Sequence, residues 1–539
     1  MESHPRLCEG QYLTGLVFFL ALVAGVASFG WAGDRTNVPL KNWGGFAVSR
    51  HWIYDDLERL ALSGLPGRVV LNTKPLSRME AARIVARAVE TIRGDRAGLI
   101  SGRAELEAVL NRLIEEFGPE LATMGVRVPG VPEAPSTFFF KPVDTLQLQA
   151  GYADRETSPS NSLGAKFLEN GSSRIALQGR AQIGDFLSFY VYPEFEGNDG
   201  STSLRLIQGY AKLSLWHAEL LVGRDSLWWG PGFRGSMLFS NNAPPLDMIK
   251  LSTDAFVPPW LFKYMGPTKL TLAAVRLEEN REFPEAKVLG FRINSTPFSF
   301  LELGFSPAIQ FNGRGQPSVE FYELPELIWK SRSSSRTGAG GKFGSTNTLF
   351  SLDATLRLAN TDRYLPIGRD VALYGELGFD DIDFRVLEVI VIPRKPAFLV
   401  GTFIQNPFLL PRTNLRFEYT QTSSISFTHG VYRDGFSFEG RPISHFIGTG
   451  GRDVYLRVTR WLTGDLLLGL ESGYSQVGST RGEPILEKRL FSGLDLSYRL
   501  PGNLSLFGRF QLQQVDNLDF VQGQDDTVPA FFLEATYRF

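Results

Sequence analysis

The C-terminal end of the chain alternates between apolar and mostly polar side chains, and this alternation constrains the fold more than any other feature. In AFFLEATYRF, the apolar residues Phe531, Leu533 and Tyr537 are interleaved with Glu534 and Arg538. Successive side chains of a β-strand point to opposite faces, so the segment has one apolar and one polar face. An unpaired strand of this kind would be an adhesive edge, and we therefore expect it to pair within a closed sheet.

The same alternation recurs upstream, in RIALQGRAQIG, DVYLRVTRW and NLSLFGRFQLQQV, where Arg180, Arg457 and Arg509 lie on the polar face. Charges on one face and lipid-compatible residues on the other require a hydrated interior and a hydrocarbon exterior. Residues 136–539, at roughly 20 to 25 residues per strand and connection, supply about 16 to 20 strands. The predicted fold class is mainly β, a large antiparallel transmembrane β-barrel. A final strand that ends on an aromatic residue, Phe539, also resembles the C-terminal signal of outer-membrane barrels.

The aromatic content and the net charge of the chain bear on its fold class and on its possible partners. The chain contains 42 Phe, 16 Tyr and 9 Trp at a mean hydropathy of -0.07. A barrel places such aromatic residues on its lipid face and in interfacial girdles, whereas the alternative is a soluble β-rich protein with an aromatic core. The net charge is -2, from 55 basic and 57 acidic residues, without a long block of one sign. This balance argues against nucleic acid as a partner.

The first residues are typical of export. An apolar run from Leu13 to Val26 precedes small residues, which predicts a signal peptide over 1–33, with an uncleaved anchor helix as the alternative. No later run approaches the ~18 uncharged apolar residues of a membrane helix, so any further crossing must use strands, and the expected location is the cell outer membrane. Cys8 precedes the apolar run, so the mature chain should contain no disulfide and no cysteine-based metal or nucleophile chemistry.

Residues 34–135 have helical periodicity. Ser77 and Glu80 have capping-box spacing at the start of one helix, and Leu106, Val109 and Leu113 form the apolar stripe of another. The stretch YDDLERLALSGLPGRVVLNTKPLSRMEAARIVARAVE loosely resembles an S-layer-homology repeat, whose relatives bind cell-wall polymers. Because only one copy is present, a periplasmic helical cap is favoured over wall binding. The proline-rich VPGVPEAPS separates this cap from the barrel, which we place at 136–539.

The densest local motif is GRDSLWWGPGFRGSMLFSNNAPPLDMIKLST. Tryptophan offers flat apolar faces that suit sugar rings, and Arg, Asp and Asn side chains supply hydrogen bonds and charges for acidic or hydroxylated sugars. For the Trp pair the alternatives are interfacial anchoring and lumen packing, and for Arg224 with Asp225 an internal salt bridge. The candidate polysaccharide-binding residues are Arg224, Asp225, Trp228, Trp229, Arg234, Asn241 and Asn242.

At this point the sequence resembles the Wzi family of capsule-assembly proteins. The family carries a closely similar GRDSLWWGPG, a following NAPP turn and a Lys-Leu-Ser strand, and DGFSFEGRPISHFIGTGGRDVYLRVTRWL is similar to its later block. The resemblance implies an outer-membrane lectin that tethers exported capsular or related polysaccharide, with a barrel of about eighteen strands. The N-terminal segment departs from the well-known members, which leaves the specificity for capsule open.

Two other functions are alternatives to polysaccharide binding. One is a porin or transporter for small solutes or exopolysaccharide. The other is a barrel-embedded hydrolase or acyltransferase, and a barrel hydrolase would need a Ser/His pair with an Asn or Asp partner. None of the five histidines lies in a recognisable nucleophile or metal-ligand motif, so we expect no catalytic residues, no metal and no cofactor; they are His4, His51, His217, His429 and His445. The expected partners are polysaccharide, outer-membrane lipid and, at the N-terminal segment, cell-wall polymer.

Overall fold

The structure is a computed structural model that describes residues 34–40, 52–95, 100–127, 138–156, 159–166, 169, 171–198, 201–320, 323, 346–380, 396–478 and 485–539. The predicted signal peptide and the proline-rich separator lie outside the described residues. Among the helices that are described, none combines the length and the apolar character needed to cross a membrane.

The N-terminal part is a small helical domain, which we call the cap. Ser77 and Glu80 form the predicted capping box at the start of its longest helix, since the Ser77 hydroxyl accepts from the Glu80 amide and the Glu80 carboxylate accepts from the Ser77 amide. The helices pack around one apolar core that includes Leu57, Val85 and Leu113. The α-helices are α1 Trp52–Leu62, α2 Arg78–Gly94, α3 Arg103–Glu116 and α4 Gly118–Thr123.

From Phe138 onward the described elements are strands and short 3-10 turns. The 3-10 turns are Trp260–Met265, Thr361–Arg363, Pro407–Leu409 and Leu518–Phe520. The short strands outside the main sheet are β1 Thr73–Lys74, β7 Trp228–Trp229, β16 Ser437–Phe438 and β17 Arg441–Pro442. The strands of the main sheet are β2 Phe138–Ala153, β3 Ser172–Ile183, β4 Leu187–Asn198, β5 Ser201–Leu215, β6 Ala218–Asp225, β8 Leu246–Thr253, β9 Thr268–Arg276, β10 Lys287–Phe298, β11 Leu301–Phe311, β12 Asn347–Leu358, β13 Asp370–Asp380, β14 Ala397–Gln405, β15 Thr413–Gln421, β18 Arg452–Trp461, β19 Leu466–Val477, β20 Glu487–Leu500, β21 Leu504–Asp516 and β22 Asp526–Arg538.

The main sheet is a closed antiparallel barrel. Within the described chain, eighteen strands pair with their neighbours in sequence order, and β22 pairs with β2 from Thr145↔Arg538 to Ala153↔Ala530. The alternating C-terminal segment thus closes the sheet against the first strand, as predicted. The mainly β class and the best estimate of eighteen strands are confirmed.

The distribution of polarity across the barrel wall is the reverse of that in a soluble protein. Leu204 and Leu533 point outward and are each 64% exposed, whereas Lys212, Arg292 and Glu418 point inward and are 0% exposed. Further leucines, valines and phenylalanines cover the outer face of every part of the sheet. Such an apolar belt is stable in hydrocarbon and costly in water, at roughly 25 cal/mol per Å².

The two ends of the barrel differ in their connections. At one end the turns are short, as at 184–186, 299–300 and 501–503, and at the other end they include 312–346 and 422–451. The cap lies at the end with short turns, where Arg416 contacts Glu58 at 2.7 Å. We call the two ends the cap end and the loop end. Barrels of this type turn their short connections to the periplasm, so the loop end faces the outside.

The cap is fixed in the lumen by a buried network around Arg292. Its guanidinium contacts Asp353 at 2.7 Å, the Thr73 hydroxyl at 2.7 Å and the Asn72 carbonyl oxygen at 3.0 Å. Arg292 and Asp353 have fully buried side chains. The network therefore joins two barrel strands to the segment between α1 and α2.

We expect Arg292→Ala to lower the free energy of unfolding by about 3–5 kcal/mol, because it leaves the Asp353 carboxylate buried without its partner. Urea unfolding of the protein in detergent micelles measures this change, and limited trypsin digestion reports whether the cap is released. The control is Arg224→Ala, which breaks an exposed pair with Asp247 and should cost about 0–1 kcal/mol. Similar losses in both variants would contradict the anchoring role of Arg292.

Candidate functional site

The predicted site motif forms a loop that folds into the barrel. Residues 226–245 leave β6, turn into the lumen and rejoin the wall at β8, and we call them the inward loop. Every residue from 225 to 243 is buried. The loop therefore partitions the lumen and presents no open surface of its own.

The two tryptophans of the inward loop pack in different apolar cores. Trp228 packs in the apolar core of the cap, whereas Trp229 packs edge-on against Phe239, with ring centroids 4.6 Å apart. Both side chains are at most 1% exposed. Trp229 also lies against the wall at Gly290, where a Cβ would approach its ring to 2.9 Å. Lumen packing, one of the alternatives weighed for this pair, is what the structure shows.

The cap and the inward loop are joined by a small sheet inside the lumen. Strand β7 pairs antiparallel with β1, with Thr73 opposite Trp229 and Lys74 opposite Trp228. The Gly230 amide adds a hydrogen bond of 2.9 Å to the Asn72 carbonyl oxygen. The two elements that fill the barrel from opposite ends are thus one connected body.

Two carboxylates of the barrel wall satisfy backbone amides of the inward loop. Glu418 accepts hydrogen bonds from the Phe233 and Arg234 amides, each at 2.8 Å. Glu376 accepts from the Met237 amide at 3.0 Å. Buried amides outside regular structure need such partners, so these contacts fix the path of the loop.

Arg234 is enclosed by aromatic rings and does not face solvent. Its guanidinium lies 4.7 Å, 4.8 Å and 5.0 Å from the ring centroids of Phe446, Tyr455 and Phe491. Burial is the largest influence and opposes its charge, but Asp453, 3.3 Å away, outweighs burial when combined with Tyr455 and Glu471, and the pKa of Arg234 is raised. The Arg234 side chain therefore makes its contacts within the protein.

The two asparagines connect the inward loop to the layer above it. This layer consists of the described residues of 154–171 and 422–451, which we call the lid. The Asn242 side chain donates to the Pro442 carbonyl oxygen at 3.1 Å, and the Asn241 carbonyl oxygen accepts from the Leu163 amide at 2.8 Å. Within the described residues, the buried side-chain amide of Asn241 has no hydrogen-bond partner.

Arg224 and Asp225 lie on opposite faces of the barrel wall. Arg224 points outward and contacts Asp247 at 2.7 Å, while Asp225 points inward and accepts from Asn37 of the cap at 2.8 Å and from Lys250 at 3.2 Å. Arg224 and Asp225 do not pair with each other, because adjacent strand residues alternate faces, and the internal salt bridge of Asp225 is formed with Lys250. Asp225 does hold the cap, but Arg224 is remote from the lumen.

His445 in the lid is the histidine nearest to the inward loop. Burial lowers the pKa of its imidazole to about 3, so the ring is neutral. It stacks on Phe446 at 4.8 Å, and a Cβ at Gly235 would lie 2.2 Å from it. The ring is a packing element between the lid and the inward loop.

The structure therefore brings the predicted site residues together, with the exception of Arg224. They form a buried partition beneath the lid and do not form an open binding surface. Among the described residues, the lid is the part of the loop end that lies outside this partition. It carries Arg441, which is half-buried and donates to the Ala165 carbonyl oxygen at 3.0 Å. Sequence reasoning did not select Arg441, although it stands within the second family-like stretch.

Comparison with known proteins places the chain in a family. The sequence profile described as capsule assembly protein Wzi matches residues 143–529. The chain belongs to the Wzi family of capsule assembly proteins. Membership in this family, with the apolar outer wall, makes the chain an outer-membrane β-barrel, as its alternating strands predict.

Among the proteins similar to the chain are one relative in sequence and one solved structure. An uncharacterised 55.8 kDa protein of the cps region of Klebsiella pneumoniae is 25% identical over 342 residues, which cover 62% of this chain and 58% of that protein. The chain thus matches somewhat over half the length of this relative. A solved structure from Escherichia coli is similar in fold, with a TM-score of 0.65, 20% identity and coverage of 92% of this chain and 100% of that chain. That protein is described as Wzi, an outer-membrane carbohydrate-binding β-barrel involved in group 1 capsule assembly.

The closed partition predicts little ion flow. We expect the wild-type protein in planar bilayers to show almost no open-channel current, because the inward loop and the cap fill the lumen. A double variant, Glu376→Ala with Glu418→Ala, removes the acceptors that fix the loop and should give frequent open events. Arg224→Ala, on the outer wall, is the control and should stay closed. Large steady currents through the wild type would favour a porin.

Proposed function

We propose that this protein binds exported polysaccharide at the loop end of the barrel and tethers it to the cell surface. The observation that carries the proposal is the filled lumen: the inward loop, whose residues up to 243 are all buried, pairs with the cap inside the barrel, and together they form a platform beneath the lid. The solved relative in Escherichia coli, described as carbohydrate-binding, supports the same assignment.

We propose that the motif residues act by positioning. Trp229, Arg234 and Asn242 hold the inward loop and the lid in place, and the polysaccharide contacts groups above them. Binding is favoured over catalysis, since the neutral ring of His445 is packed between Gly235 and Phe446.

The two other expected partners are also proposals. Outer-membrane lipid fits the belt of exposed leucines on the outer wall. For cell-wall polymer at the cap the support is weaker, because several cap charges are used within the protein: Glu58 contacts Arg416, Glu80 contacts Lys269, and Glu105 contacts Arg369. These contacts favour a structural role for the cap.

Deletion of the gene tests tethering directly. We expect the deletion strain to export a normal total amount of polysaccharide but to shift it from the cell-bound pool to the released pool, and the wild-type gene to restore the bound pool. Fractionation of cells and medium, followed by sugar quantification, measures both pools. An unchanged bound pool in the deletion strain would refute the proposed function.

Replacement of Trp229 tests the positioning role. We expect Trp229→Ala to remove most of the cell-bound polysaccharide, because the cavity costs about 3–5 kcal/mol and loosens the lid. Trp216→Ala is the matched control, since Trp216 is 94% exposed in a turn at the cap end and should leave retention unchanged. The heat-shifted mobility of the folded barrel on a gel checks that both variants insert. Normal retention in a folded Trp229→Ala protein removes this residue from the mechanism.

A further inference from the structure

Arg460 points outward at the cap end of β18. Val454 and Leu456 of this strand are exposed on the outer wall, and the strand pairs without a register shift, so Arg460 lies on the same face. Its side chain is exposed, whereas Arg457 points into the lumen and contacts Asp495 at 2.7 Å. Hydrocarbon disfavours an outward charge, and the cost falls towards the membrane interface. The guanidinium of Arg460 therefore lies at the level of the lipid head groups.

Arg412 lies directly beside Arg460, in the turn between β14 and β15. Its carbonyl oxygen accepts from the Trp461 amide at 3.0 Å, and the next residue, Thr413, pairs with Arg460 in the sheet. The Arg412 amide donates to the Glu105 carboxylate at 3.1 Å, but the exposed Arg412 guanidinium forms no ion pair with this carboxylate and is directed away from it. We call Arg412 and Arg460 the rim pair.

Two carboxylates close to the rim pair are engaged by other arginines. Glu105 of the cap contacts Arg369 at 3.0 Å, and Asp465, in the turn after β18, contacts Arg499 at 3.5 Å. Within the described residues, neither guanidinium of the rim pair has an ion-pair partner. Two adjacent cations on the outer rim are therefore left without a counter-charge from the protein.

Apolar side chains flank the rim pair. Phe408, in the turn between β14 and β15, is 73% exposed, and Leu462, in the turn after β18, is also exposed. The Phe408 amide donates to the Ile367 carbonyl oxygen at 3.1 Å, which places the turn before β13 alongside. Asp362 and Arg363 in that turn carry opposite charges and add no net charge. The rim pair thus stands at the end of the apolar outer wall, among exposed apolar groups.

A phospholipid presents the groups that match this surface. Its phosphate accepts paired hydrogen bonds from a guanidinium, and its acyl chains can follow the apolar wall. Basic residues at a membrane surface attract anionic head groups in particular. Exported polysaccharide is a poor match, because the rim pair lies at the cap end and on the outside of the barrel.

We propose that Arg412 and Arg460 bind the phosphate of an anionic phospholipid in the leaflet at the cap end of the barrel. The lipid supplies the negative charge that the rim pair lacks within the protein. This site goes beyond the proposed function, because it is separate from the lid and needs no polysaccharide.

The test uses the full-length protein in a neutral detergent and two lipids with the same acyl chains. Phosphatidylglycerol is the anionic probe, and phosphatidylcholine carries the same phosphate neutralised by a quaternary ammonium group. Native mass spectrometry across a lipid titration measures the fraction of protein with one bound lipid. We expect one tight site for phosphatidylglycerol, binding of phosphatidylcholine at least tenfold more weakly, and no displacement of the bound lipid by millimolar inorganic phosphate.

The variants are Arg412→Gln, Arg460→Gln and the pair. We expect each single change to weaken binding of phosphatidylglycerol roughly tenfold and the pair to abolish the tight site, since each removes a charge-assisted hydrogen bond. Arg412→Lys with Arg460→Lys keeps the charge but loses the two-pronged geometry, and should bind at an intermediate level.

The matched control is Arg452→Gln, on the same strand and the same outer face but at the loop end. Arg452 stands opposite the neutral Gln421 and Gln476, so its removal should leave the tight site unchanged. Heat-shifted mobility on a gel checks that every variant is folded.

The inference is overturned by equal binding of the two lipids, by displacement of the lipid with inorganic phosphate, or by a folded double glutamine variant that keeps the wild-type affinity. An equal loss of binding in Arg452→Gln would also overturn it, because the attraction would then be spread over the outer wall. Retention of polysaccharide on cells does not enter this test, so the lipid site and the tethering function succeed or fail separately.

Discussion

Charge pairing inside the lumen is the constraint on which the rest of the structure depends. A barrel of eighteen strands encloses a wide interior, and its inward positions carry residues such as Lys269, Arg292 and Arg416. The cap supplies counter-charges from Glu58 and Glu80, and its backbone near Asn72 accepts from Arg292. The charged and polar groups of the cap therefore pair with those of the barrel wall. Removing the cap would leave buried charges of the wall without partners.

The fold was predictable because its signal is local. The alternation in β22 specifies an apolar and a polar face over a few residues, and the Ser77 and Glu80 spacing specifies a helix start without reference to the rest of the chain. The membrane barrel and the helical segment follow from such short-range patterns. Strand number followed from chain length, since each crossing of hydrocarbon consumes a similar stretch of sequence.

The candidate site was predictable only in part because its contacts are distant in sequence. Composition could not separate a tryptophan that stacks on sugar from one that fills a core, and Trp229 fills a core formed with Phe239 and Gly290. Strand β6 continues to Asp225, so Arg224 and Asp225 are neighbours on one strand and must point to opposite faces. A sequence prediction that placed the end of β6 there would have separated the two side chains.

The residues of the sequence motif are required for packing of the buried partition. Gly230 has a φ of +145°, and a Cβ there would lie 2.4 Å from a Glu376 carboxylate oxygen, so the motif needs glycine for close packing. Trp228 and Asp225 are likewise fixed by contacts with the cap. In this chain the motif therefore serves to fill the barrel. On the proposed function, the polysaccharide contacts groups above this partition, so the motif itself does not specify which polysaccharide is bound.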